Sequence, residues 1–308
     1  MQREVSFPSK DLRLAGTITL PDKGDNFPAV LLIPGSGQID RDENHKKLRL
    51  NVFHDLAESL SACGFASLRY DKRGVGASGG NYWETGFYDN ITDAQAAMVF
   101  LKEQESIDIN RVYLLGHSEG AFAATNIAAN SADMSGIILL AGGAQSGEET
   151  LKWQALKVVA GMKGFNKWLI NVLHLDVARS QRKQLERIKK SDKDYIRVQL
   201  IAKLNAKWMR EFLAYNPAED LPAISVPILA ITGSKDIQVN PEDLKLMEKL
   251  VKSPFEYHIL PDVTHLLRKE EGAASISNYR KLVRDPIDAR IPEIICNWLS
   301  SQSDTKRR

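Results

Sequence analysis

The chain of 308 residues is 43% apolar and 26% charged with a formal net charge of +2, the profile of an ordinary globular protein with no overall charge that would favour nucleic acid. That length allows one large α/β domain, or a core with an inserted subdomain, and either buries a substantial apolar core. Its two cysteines, Cys63 and Cys296, exclude a disulfide framework and a cysteine-rich zinc site and fit a reducing compartment, and no apolar run approaches the ~20 residues of a membrane span.

The N-terminal stretch MQREVSFPSKDLRLAGTITLP alternates apolar and polar residues like a strand pair. It lacks the charged-then-apolar pattern of a signal segment, so a cytoplasmic location is the default expectation. Short apolar, β-rich runs then recur at Ala29 to Gly35, Phe65 to Asp71, Val112 to Gly116, Gly136 to Gly142, Pro227 to Gly233 and Phe255 to Pro261. Helical patterns, such as Asn51 to Cys63 and Ile91 to Glu105, separate most of them, and this alternation predicts an α/β protein with a mainly parallel sheet covered on both faces.

The rhythm breaks after Gly147. Residues 147–216 contain no strand candidate and read as helices, with Trp153, Trp168 and Trp208 among them, so they are expected to form an inserted helical cap between core segments 1–146 and 217–308. From Leu151 to Tyr215 there are fifteen Lys or Arg against five Asp or Glu, a local excess of +10. That excess is either a solvated lysine face or an attraction for an anionic substrate.

Within VYLLGHSEGAF, Ser118 stands between an apolar strand and an alanine-rich helix in the pattern G-x-S-x-G. A strand-to-helix turn strains the serine backbone, Gly116 and Gly120 make room for it, and the helix N-terminus faces charge that develops at the hydroxyl. The same pattern at Gly76 to Gly80 lacks the flanking strand and helix, so Ser78 reads as a loop residue. A serine is a weak nucleophile unless a base activates it, and on this architecture the partners follow in the order acid, then histidine. Of six histidines, His45 and His54 precede the serine, His117 adjoins it, His174 lies in the cap and His258 falls inside a strand. His265, in the loop PDVTHLL, remains as the base. Asp236, three residues past the glycine ending a strand, is placed to orient it, with Asp262 as the rival acid on the histidine's own loop. The oxyanion donors are expected from the backbone N–H of Glu119 and of Ser36, or of Gly37, in the glycine-rich turn of LIPGSGQIDRDEN.

On GHSEG, GSKDIQV and DVTH, in that order, the chain resembles the α/β-hydrolase superfamily from about Leu14 to Leu299. PGSGQIDRD and RYDKRGVGAS are similar to a subgroup of serine esterases and peptidase-like hydrolases with a helical cap and a PGSG-x-x-DRD loop. The resemblance implies hydrolysis of small carboxylic esters with Ser118 as nucleophile, Asp236 and His265 as partners, the Ser36 and Glu119 amides as oxyanion hole, and no metal or organic cofactor. It implies a structural role for Asp71 and Arg73. Pro34 stands where many esterases carry the histidine of an HGG-type loop. The alternatives are an acyl-CoA thioesterase, drawn by the basic cap; an aminopeptidase, which would need acidic groups to hold the substrate amine; and a non-catalytic binding protein on the same scaffold.

Overall fold

The structure, a computed structural model, describes residues 1–161, 177–198 and 202–305. Trp168 and His174 lie outside the described residues. Ten strands are described: β1 (Gln2–Ser9), β2 (Leu12–Thr19), β3 (Phe27–Ile33), β4 (Ala66–Tyr70), β5 (Ile107–His117), β6 (Gly136–Leu140), β7 (Tyr195–Val198), β8 (Ala202–Asn205), β9 (Ile228–Gly233) and β10 (Phe255–Leu260). The principal helices are α1 (Val52–Ala62), α2 (Phe87–Lys102), α3 (Glu119–Asn130), α4 (Gly147–Gly161), α5 (Val177–Lys189), α6 (Ala206–Ala214), α7 (Asp243–Leu250) and α8 (Arg290–Thr305).

Eight strands form one sheet in the order β1-β2-β4-β3-β5-β6-β9-β10. Its ladders are parallel from β4 to β10, and β2 joins β4, and β1 joins β2, in antiparallel register. The chain has the α/β-hydrolase fold. Every residue of β4, β6 and β9 is buried, as central strands covered on both faces require, whereas the edge strands bury only two of eight residues in β1 and one of six in β10. The two-residue period of the strands divides the core: Leu31 and Ile33 pack with residues of α2, α3 and α7 on one face, and Val30 and Leu32 with α1 and α8 on the other.

Residues 147–216 hold α4, α5, α6 and, contrary to the expectation of helices alone, an antiparallel hairpin of β7 with β8. Strands of four residues are too short to show a two-residue period in sequence, and it is Ile196, packed with Leu185, Ile188, Ala206 and Leu213, that anchors this hairpin in a small core of its own. The segment is joined to the start of α2. The Asn205 amide donates to the Tyr82 and Thr85 carbonyls at 2.7 and 2.8 Å, Lys207 meets Asp89 at 2.6 Å, and Phe212 lies edge-on to Phe87 and Phe122. Several of its basic side chains are paired, Lys152 with Glu148 and Glu149 and Lys189 with Glu148 and Glu186. Among the described residues, no helix is long and apolar enough to cross a membrane.

The cysteines correct the sequence expectation. Cys63 at the end of α1 and Cys296 in α8 are disulfide-bonded, with Cα atoms 6.1 Å apart across 233 residues of sequence. Both helices pack on the same face of the sheet, and that proximity is invisible in the spacing. A lone bond is no framework, but it withdraws the support that free thiols would lend to a reducing compartment. In the chain-entropy account, closing so long a loop restricts the unfolded chain by on the order of 5 kcal/mol. Air-purified protein denatured without reductant should therefore show no titratable thiol, and reduction should expose two and lower the melting temperature by several degrees. One or more free thiols before reduction would contradict the pairing.

Candidate active site

The site begins at the end of β5, where the chain turns directly into α3. Ser118 adopts φ 54°, ψ −119°, a left-handed conformation costly for a non-glycine residue, and its amide is tied to the Leu140 carbonyl at 2.9 Å. The flanking glycines allow the turn to close. A Cβ on Gly116 would lie 2.0 Å from the Gly120 carbonyl oxygen, and one on Gly120 would lie 1.9 Å from that of Ile33, so neither position has room for any other residue. The other copy of the motif is used differently: Ser78 Oγ donates to the Asp71 carbonyl at 2.7 Å and accepts from the Ala15 amide at 2.9 Å, as a loop brace.

Three side chains meet at the turn. His265 Nε2 lies 3.0 Å from Ser118 Oγ, and its Nδ1 lies 2.7 Å from Asp236 Oδ2. The other Asp236 oxygen accepts the Gln238 and Val239 amides at 2.7 and 2.9 Å, which fixes the carboxylate in its buried loop. The rival Asp262 is half-buried, pairs with Lys235 at 2.7 Å and takes φ 64° in its turn, while the imidazole Nδ1 is taken by Asp236. The His265 loop is held from beneath by buried Arg268, whose guanidinium donates to the carbonyls of Leu50, Leu266 and Asp285. Burial pushes that guanidinium pKa down from its ordinary value.

Behind these residues lie buried charges that sequence reasoning missed. His117, set aside as adjoining the serine, bonds with neither ring nitrogen to Ser118 Oγ. It nevertheless reaches the His265 carbonyl with Nε2 at 3.0 Å and Glu43 with Nδ1 at 2.6 Å. Burial would lower the His117 pKa, but the charge and hydrogen bond of Glu43 outweigh it and hold it above its ordinary value. Glu43 also accepts the Gly35 amide at 2.8 Å. On the other side, buried Lys72 donates to the Gly35 carbonyl at 2.9 Å and pairs with Glu119 at 3.2 Å, while Asn90 donates to Glu119 at 2.7 Å. The only sequence signal for Glu43 and Lys72 was their place in the DRDEN and YDKRG loops. Asp71 and Arg73 in the second loop are structural, bound to Arg41 and to Asp93.

Among the described residues, two recesses open at Ser118. A cleft of about 240 Å3 is lined by His117, Ser118 and His265 together with Leu48, Leu50, Leu266 and Tyr279. A recess of about 40 Å3 is lined by Ser118, Glu119, Phe122 and the inserted segment's Leu151, Trp208 and Phe212. Ser36 and Gln238 line both, whereas Gly37 lines only the larger. Among the described residues, no group of three or more His, Cys, Asp or Glu is arranged to hold a metal ion.

Residues 49–272 match the family described as serine aminopeptidase, S33. The chain is 31% identical over 299 residues to the esterase EstD of Thermotoga maritima, covering 96% of this chain and 68% of that one. Est1E from Butyrivibrio proteoclasticus, solved with ferulic acid bound, superposes with a TM-score of 0.65 at 16% identity, over 97% of this chain and 99% of its own. An esterase of Pyrococcus furiosus superposes at 0.62 with 16% identity, over 99% and 91% of the two chains. At such identities these two structures share the fold.

The raised His117 pKa has a consequence for stability. Protonated His117 paired with Glu43 contributes stability that is fully present below the imidazole's ordinary value of 6.5 and is lost as the pH rises through the higher folded value. Thermal unfolding of wild type and His117→Gln between pH 5.5 and 9.5 should show a wild-type advantage that shrinks with rising pH. An advantage that is constant or grows would contradict the assignment.

Proposed function

Because the chain belongs to the α/β-hydrolase family described as serine aminopeptidase, S33, we propose that it is a serine carboxylesterase working through an acyl-enzyme at Ser118. The observation that carries this reading is the single imidazole bonded on one side to Ser118 Oγ and on the other to Asp236. Ser118 Oγ adds to the ester carbonyl carbon as its proton passes to His265 Nε2, and Asp236 stabilises the resulting imidazolium. The tetrahedral intermediate collapses by breaking the bond to the alcohol oxygen, which takes the proton from His265. Water then attacks the acyl-enzyme with the same imidazole as base, releasing the acid and restoring the serine.

The oxyanion is assigned to the backbone N–H groups of Glu119, at the N-terminus of α3, and of Ser36. Lys72 is the positioning residue for both. In a trans peptide the carbonyl and the N–H point in opposite directions, so an ammonium on the Gly35 carbonyl aims the Ser36 N–H away from Lys72. Its bond to the Glu119 carboxylate holds the second donor's residue.

An ester fits better than a peptide with a free amine. Among the described residues, the carboxylates lining the recesses are Glu43, occupied by Gly35 and His117, and Glu119, occupied by Lys72 and Asn90. Hydrolysis of p-nitrophenyl acetate well above that of aminoacyl p-nitroanilides and acyl-CoA thioesters is the expected result, and a preference for either of the others would overturn the ester reading.

Ser118→Ala should remove turnover by orders of magnitude with an unchanged melting temperature, whereas Ser78→Ala should cost stability and leave kcat within a few-fold. A dead Ser78→Ala enzyme beside a live Ser118→Ala enzyme would reverse the assignment. Asp236→Asn should lower kcat by roughly a thousandfold or more, and Asp262→Asn should change it little. Lys72→Met is expected to lower kcat about a hundredfold with KM within a few-fold, as loss of an oxyanion donor does. Weakened binding of a trifluoromethyl ketone, which forms a tetrahedral adduct, should track that loss; unaltered binding in folded protein would make Lys72 merely structural.

A further inference from the structure

We infer that this chain sorts the two halves of its ester by size, taking a short acyl group such as acetyl against the inserted segment and a larger, mainly apolar alcohol beside His265. The inference rests on the serine esterase reading above. Ser118 lines both recesses, but His265 lines only the larger one. The oxygen leaving the tetrahedral intermediate must take its proton from His265 Nε2, so the bond that breaks points at the imidazole and the group attached to that oxygen runs into the larger cleft. The substituent on the acyl carbon is left with the other recess.

The two volumes then set the substrate class. The recess against Leu151, Trp208 and Phe212 holds about 40 Å3, one sixth of the space in the cleft past His265, so the smaller substituent, a methyl or ethyl group, belongs there. The cleft past His265 holds about 240 Å3, approaching the ≈ 300 Å3 at which small-molecule pockets begin. Its wall is aliphatic and aromatic through Ile39, Leu48, Leu50, Leu266 and Tyr279, and its carboxylate, Glu43, is already bonded to Gly35 and His117. That surface suits an arylalkyl or branched alkyl alcohol and offers no free charge to a cationic one. Gln238 lines both spaces, donating to the Tyr279 hydroxyl and accepting from Gln154, each at 3.2 Å, so a polar crosspiece separates the two arms.

The test uses a pair of reversed esters with the same atoms, 2-phenylethyl acetate and methyl 3-phenylpropanoate, both of which release simple alkanols. The first should be cleaved with kcat/KM at least about tenfold higher, the scale on which a poorly filled or overfilled pocket discriminates. Leu48→Trp, which fills the larger cleft, should lower that ratio severalfold, and Trp208→Ala, which opens the smaller recess, should lower it by raising the rate on methyl 3-phenylpropanoate. A ratio of one or below with wild-type protein would overturn the inference. If p-nitrophenyl acetate is hydrolysed under the same conditions, the esterase reading survives that result; if it is not, both fall together. Should either variant fail to fold, the wild-type ratio alone decides.

Discussion

The site depends on the close approach of three backbones. β3, β5 and the first turn of α3 come together at Gly116 and Gly120, where carbonyl oxygens of Gly120 and Ile33 occupy the space any side chain would need. That contact allows a sharp turn, and the turn holds Ser118 at a positive φ with its hydroxyl outside the strand and the helix N-terminus directly behind it. The cost of the strained residue is met by the surrounding sheet, through the Leu140 carbonyl bonded to the Ser118 amide. A similar close approach occurs at Gly233, where a Cβ would lie 2.0 Å from the Val263 carbonyl oxygen, and it brings the Asp236 loop against the loop that carries His265.

Around this frame the structure buries more ionised groups than a simple hydrolytic site requires. Lys72 with Glu119 and His117 with Glu43 flank residue Gly35, one on its carbonyl and the other on its amide. Removing either partner of such a pair would leave a charge in an apolar interior, which costs far more than the pair itself gains. The two pairs therefore act as fixed braces: the loop that presents Ser36 is bonded on the two successive peptides that flank the Gly35 Cα, and the carbonyl of His265 is held by the ring of His117. Arg268, bonded to three carbonyls beneath the same loop, adds rigidity from below.

The inserted segment contributes differently. It is anchored at the start of α2 by amide, ionic and aromatic contacts, and it narrows one of the two spaces at Ser118 while leaving the other to core loops. Its lysines, which in sequence pointed either to a solvated face or to an anion, are in part satisfied by Glu148, Glu149, Glu186 and Asp89. Exposed pairs of this kind contribute little stability, but they do lessen the positive field an anionic substrate would meet.

The sequence by itself determined the α/β class, the strands of the central sheet and that Ser118, unlike Ser78, stands at a strand-to-helix turn, because each follows from local order: apolar runs of strand length, glycines at fixed offsets, and a serine placed between a strand and a helix. It also singled out His265 and Asp236, because the order of elements restricts which loops can reach the end of β5. What only the tertiary structure decided are contacts between residues far apart in the chain. Cys63 meets Cys296 because α1 and α8 share a face of the sheet, and Lys72 meets Glu119 because the loop after β4 and the start of α3 after β5 converge across the end of the intervening β3. The β7–β8 hairpin was hidden by its brevity, and the unequal recesses by the fact that a cavity belongs to no single stretch of sequence. Periodicity encodes which face of an element is buried, but the partner it meets there is set by how the whole sheet twists and closes.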